Sequence, residues 1–141
     1  MGEVNSDQLS YWNGYYTGIK GQCVELARRY YLIKYNLYFK LVENAKDIFY
    51  IHTILDLTHD TFLPWKSYSN DSTHPLPEVG SLLIWDATGR NAETGHVAVV
   101  TRVTKKYVDV IEQNYGDGHS RISIRKGVLI SKGLLGWKQP V

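Results

Sequence analysis

The hydrophobic pattern of this chain changes period near residue 80. Before that point apolar residues recur at helical spacing; after it they alternate, or run together in short β-like segments. From Gln22 to about Tyr35, Val24, Ala27 and Tyr31 fall on one face, with Leu26, Tyr30 and Ile33 beside it. Glu25 near the start suits the positive end of a helix dipole. Val42, Ala45, Ile48 and Phe49 predict a second helix over Val42 to Ile51. Pro64, Pro75 and Pro77, set among Ser, Asn, Asp and Thr, predict loop over most of 56–80. Strands are then expected at Ser81–Asp86, Gly95–Val103, Tyr107–Asn114, Arg121–Arg125 and Leu134–Lys138. Helices first and antiparallel strands after define an α+β domain. Residues 1–13 read as a polar lead-in, with turn signals at Asn13-Gly14 and at Gly18 to Gly21.

The 141 residues suit one domain, expected to span 1–141 with one core. A net charge of +2 gives no case for a nucleic-acid partner or an anionic membrane. The single cysteine excludes an intrachain disulfide and removes the thiolate clusters of structural zinc sites. His52 and His59 could share a helical face, but no cysteine or carboxylate spacing completes a metal site around them. Met1 to Ser10 has neither the basic nor the apolar region of a secretory signal. The expectation is a cytoplasmic, reduced compartment; export by a signal-independent route would leave no trace here. The longest apolar runs, Leu82–Trp85 and Val97–Val100, are too short to span a bilayer.

The one cysteine, Cys23, stands where the first helix should begin. A thiol at a helix N-terminus is held partly as thiolate, the form that attacks a carbonyl carbon. The Gly95–Asn114 segment supplies partners. If Thr104-Lys105-Lys106 forms its loop, Val103 opposes Tyr107 and His96 opposes Asn114, with Glu112 diagonal to His96. Strand parity then puts His96, Ala98 and Val100 on one face with Val108, Val110, Glu112 and Asn114. A slip of one residue would separate His96 from Glu112. Cys23 as nucleophile, His96 as base and Glu112 as orienter make up the kit for thiol acyl transfer, with Asn114 as a second orienter. The Cys23 backbone N–H and the Gln22 side-chain amide are candidate oxyanion donors. Taken singly, each residue has an ordinary reading: a buried small thiol, a satisfied core histidine, a solvated strand end. Tyr30, Tyr31 and Trp85 read as core.

The segment Gly14-Tyr15-Tyr16-Thr17-Gly18-Ile19-Lys20-Gly21-Gln22-Cys23-Val24-Glu25-Leu26-Ala27-Arg28-Arg29-Tyr30 resembles the nucleophile segment of CHAP amidases. It is most similar to the amidase domain of glutathionylspermidine synthetase/amidase and trypanothione synthetase. Ala45-Lys46-Asp47-Ile48-Phe49, Thr61-Phe62-Leu63-Pro64, Pro77-Glu78-Val79-Gly80-Ser81-Leu82-Leu83-Ile84, Gly95-His96-Val97-Ala98-Val99-Val100, Glu112-Gln113-Asn114-Tyr115 and Leu135-Gly136-Trp137 resemble further blocks in the same order, covering about residues 14–138. The resemblance implies a papain-like fold of the CHAP and NlpC/P60 type. It implies a triad of Cys23, His96 and Glu112, an oxyanion role for Gln22, no cofactor and no metal. It also implies that Arg28 helps to position the substrate, where its ordinary reading is an exposed helix arginine. Gly21 stands where these amidases usually carry an aromatic residue, which leaves one wall of the groove open. The implied activity is hydrolysis of a peptide-type amide through a thioester, with a small peptide–amine or peptide as substrate. The wider family includes peptidoglycan hydrolases, so a cell-wall amidase or endopeptidase is the rival reading, and a non-catalytic binding module the third.

Overall fold

Two neighbouring strands, β7 (Leu82–Trp85) and β8 (His96–Val103), are apolar on both sides, and the fold supplies a core for each side. The computed structural model describes residues 8–19, 22–87, 94–113 and 118–141. β7 and β8 lie at the centre of a seven-stranded antiparallel sheet completed by β6 (Ser67–Ser69), β9 (Tyr107–Ile111), β10 (His119–Arg125), β11 (Val128–Leu129) and β12 (Leu134–Lys138). The strand order is β11-β10-β9-β8-β7-β12-β6. On one face Leu82, Ile84, Val97 and Val99 pack with Ala27 and Tyr31 of α1 (Cys23–Tyr35) and with Ile48 of a short 3-10 helix (Ala45–Tyr50). On the other, Leu83, Trp85, Ala98 and Val100 pack with Val108, Val110, Ile122, Leu129, Leu134 and Trp137, all from the same sheet.

A sheet can enclose its own core only by curling, and its edges are tied together. After β6, the Asn70 side-chain amide donates to Leu129 O of β11 (2.9 Å) and accepts from Leu129 N–H (3.0 Å). One amide side chain thus does what another strand would do, and neither edge is left as an open ladder there.

Helix α1 forms where expected. It ends at Asn36, which takes the left-handed conformation (φ 54°, ψ 40°) and donates its N–H to Leu32 O at 3.1 Å, a common helix stop. Tyr31 is fully buried, its hydroxyl donating to Gly80 O at 2.8 Å. Ile33, expected beside the buried face, is exposed.

Three expectations need correction. Residues 9–12 are no lead-in: β1 (Leu9–Trp12) pairs with β2 (Tyr15–Ile19) across Asn13 and Gly14, both at positive φ (50° and 85°). Asn-Gly between aromatic residues is a strong hairpin signal; the strands are too short and too exposed for alternation to show. The second helix is a six-residue 3-10 helix, entered by an Asp47 N–H to Asn44 O bond (3.0 Å) and closed by an Ile51 N–H to Ile48 O bond (3.2 Å), each three residues apart; the Lys46 N–H goes to Thr94 O (3.1 Å) and the Asp47 carboxylate accepts from the Asn44 N–H (3.0 Å). The 56–80 region contains β5 (Thr61–Pro64) and β6; β5 pairs with β4 (Thr53–Asp56), which pairs with β3 (Leu37–Tyr38). Pro64 is tolerated because β5 is an edge strand. No helix among the described residues is long and apolar enough to cross a membrane.

Lys138 is fully buried on β12, donating to Ile51 O and to Trp65 O (2.9 Å). Burial pulls its pKa down to about 8. Below pH 8 the folded protein holds an ammonium out of water. Between pH 8 and the ordinary lysine value the unfolded chain keeps a proton that the folded one has lost, so stability rises with pH. Over that window the wild type should gain up to about 3 kcal/mol on Lys138→Met in urea melts. Asn70→Ala should cost about 1–3 kcal/mol in the same assay, since it strips two hydrogen bonds from the buried Leu129 backbone.

Candidate active site

The placement of His96 and Glu112 rests on the register of β8 against β9. Near the turn the pairing is Val103↔Val108 and Arg102↔Asp109, one residue out from the expected register. A bulge between Val100 and Arg102 removes the difference, and beyond it Val100 pairs with Val110 and Val99 with Ile111. Glu112, just past β9, therefore shares a face with Val110, and His96 lies diagonal to it, as the sequence predicts. His96 Nε2 is 2.6 Å from Glu112 Oε2, with both side chains buried.

Position 95 allows little but glycine. Its φ is 73°, and a Cβ there would meet Trp85 O at 2.4 Å and the Lys46 Cβ at 2.8 Å. The same Lys46 anchors the 3-10 helix to Thr94. The entry to β8 is thereby pinned one residue before His96. Trp85, paired directly with His96 across β7–β8, sets its ring 5.3 Å from the imidazole and donates from Nε1 to Ser131 Oγ (2.8 Å).

Cys23 is the first residue of α1, part-exposed and free. Its side chain neighbours the His96 imidazole and helps to hold that ring's pKa up. Nε2 faces Glu112, so Nδ1 is the ring nitrogen left for the thiol. By parity His96 belongs with Ala98 and Val100, on the face away from α1. The first hydrogen bond within α1 runs from Leu26 N–H to Gln22 O (3.2 Å), so the N–H groups of Cys23, Val24 and Glu25 have no acceptor within the helix. Gln22 precedes the helix in extended conformation with an exposed side chain. The arrangement brings a thiol, an imidazole and a carboxylate together at the positive end of a helix.

Burial alone would press the pKa of His96 down. Interactions with Cys23 and with Glu112, whose carboxylate accepts from His96 Nε2–H, together outweigh it and hold the imidazole above its ordinary 6.5. A raised histidine contributes stability below its ordinary pKa, and that stability is lost as pH rises through the raised one.

Arg28 is neither exposed nor open to the outside. It is 2% exposed, donates to Phe39 O (3.1 Å), Thr17 O (2.9 Å) and Lys40 O (2.9 Å), and stacks over the Phe39 ring at 4.5 Å. Three of its five donors hold β2 and the segment after β3 to α1. Asn114 and Gly21 lie outside the described residues. The structure adds one polar neighbour that sequence reasoning missed: Ser120 on β10 donates from Oγ to Glu112 Oε1 at 2.6 Å. The signal was faint, because it depends on the pairing of β9 with β10 across a connection that has no periodicity of its own. Ser120 also borders an open groove of about 360 Å³ that includes Thr101, Asp109, His119 and Arg121.

The fold and site define a mostly-sheet domain with a thiol, imidazole and carboxylate aligned at the end of its central strand. The CHAP domain model matches residues 10–114, and the chain belongs to the CHAP family. It is 39% identical over 105 residues to the bifunctional glutathionylspermidine synthetase/amidase of Escherichia coli (strain K12), a match covering 74% of this chain and 17% of that protein. Two proteins of Crithidia fasciculata are each 33% identical: a glutathionylspermidine synthase, over 70% of this chain and 14% of that one, and a trypanothione synthetase, over 78% and 17%. The chain thus spans about one sixth of the length of the curated relatives it matches.

Replacing Glu112 by Gln removes the charge that supports the imidazolium while keeping the shape. The midpoint of the His96 ring-proton titration, read by NMR, should lie above 6.5 in the wild type and fall in Glu112→Gln.

Proposed function

We propose that this chain is a cysteine amidase of papain-like α+β design, cleaving a peptide-type amide through a thioester. The observation that carries the reading is the Cys23–His96–Glu112 line at the head of α1. Cys23 Sγ attacks the amide carbonyl carbon while its proton rests on His96. The carbonyl oxygen takes the negative charge, facing the Cys23 N–H and the Gln22 side-chain amide. The C–N bond then breaks, and His96 gives its proton to the departing amine. Water adds to the thioester with His96 as base, and the carboxylic acid and free thiol are released. Glu112 keeps the imidazole oriented and stabilises its charged form; Asn114 is a second orienter. Arg28 serves this chemistry indirectly, by holding β2 against the helix that carries the nucleophile.

The substrate that the relatives suggest is glutathionylspermidine, cleaved to glutathione and spermidine. Support comes from the synthetase/amidase relative at 39% identity. Purified wild type and Cys23→Ala should be assayed in parallel on glutathionylspermidine and on isolated peptidoglycan. Wild type should release spermidine, and Cys23→Ala should be at least about a thousandfold slower. Release of muropeptides alone would keep the chemistry and replace the substrate. Turnover of neither, by an enzyme whose Cys23 alkylates like a simple thiol, would leave a binding module.

A further inference from the structure

Glu112 is held from two sides. Its backbone N–H donates to Gly118 O (2.9 Å), which continues the β9–β10 ladder one step past Ile111↔His119. In that register Ser120 is the diagonal neighbour of Glu112 on one side, as His96 is on the other. The carboxylate accordingly bridges two strands, with Oε2 at His96 of β8 and Oε1 at Ser120 of β10, each at 2.6 Å. A carboxylate on a single torsion-rich side chain can swing; two fixed partners on opposite sides define its plane.

We infer that Ser120 is a positioning residue, whose hydroxyl holds the Glu112 carboxylate in line with the His96 imidazole. This rests on the amidase reading above for its catalytic consequence, though not for the contact itself. Three physical features support it. The bond has the short length typical of a hydroxyl on an ionised carboxylate. Glu112 is 7% exposed, so bulk water has little access to reorient it. Ser120 is fixed by the strand ladder, pairing with Val110 of the buried face. Ser120 itself lies at the surface beside the open groove, so water can take over part of its task once the hydroxyl is gone. The effect is therefore graded rather than total.

The test compares Ser120→Ala and Ser120→Thr with Glu112→Gln and wild type. Three quantities are read: the NMR titration midpoint of His96, the pH dependence of Cys23 alkylation by iodoacetamide, and kcat and KM on an amide substrate. Ser120→Ala should lower the His96 midpoint in the same direction as Glu112→Gln but by less. It should shift the alkylation profile with it and reduce kcat about fivefold, leaving KM within about twofold. Ser120→Thr keeps the hydroxyl and should restore all three. A Ser120→Ala protein with the wild-type His96 midpoint and alkylation profile would overturn the inference. So would a fall in kcat that Ser120→Thr fails to rescue. If wild type turns over no amide, the amidase reading fails, and the His96 midpoint still decides whether Ser120 positions Glu112.

Discussion

Everything in this molecule is arranged around two strands that cannot face water on either side. β7 and the first five residues of β8 are buried throughout, so a single packed layer would leave half of their apolar surface in solvent. Burial of that area is the largest favourable contribution available to a domain of this size. One side is covered by α1 and the 3-10 helix, the other by the sheet's own curl. The curl brings β11 to β6, and Asn70 joins them.

The site is a by-product of where that two-sided burial stops. Gly95 ends the apolar run with a left-handed turn backed by the Trp85 carbonyl and Lys46. His96 is the next residue, still walled by Trp85 yet within reach of the helix end that carries Cys23. Desolvation there would neutralise an isolated imidazole. The flanking thiol and carboxylate reverse that tendency, which is what a thiol–imidazole pair needs in order to share a proton near neutral pH. The buried Arg28 and Lys138 serve the scaffold instead. Both use cationic donors to hold backbone carbonyls where no strand partner is available.

Sequence reasoning reached α1 over its length, five of the strands and the facing of His96 with Glu112. It reached the last by a register that is one residue out near the turn. The bulge at Thr101 absorbs that residue before His96 and Glu112 are placed. Period-2 patterning fixes which face a side chain takes more firmly than it fixes the length of a loop. The Asn13-Gly14 turn is legible, but the strands it joins, β5, β6 and the 3-10 form of the second helix are not, because each is short and half-exposed. The burial of Arg28 is not legible, because nothing in the order of residues shows that Phe39, Thr17 and Lys40 will present three carbonyls to one guanidinium.

The sequence by itself determined the chemistry at hand: one thiol at a helix start, and a histidine and a carboxylate of matching strand parity. Those follow from local periodicity, which operates over a few residues and can be read along the chain. Only the tertiary structure decided that the thiol and imidazole become neighbours, that Trp85 walls the imidazole, and that Ser120 reaches Glu112 from the adjacent strand. Those contacts depend on how strongly the sheet curls and how its strands are ordered. Both are set by burying β7 and β8 on two faces at once, a condition that belongs to the whole chain and to no segment of it.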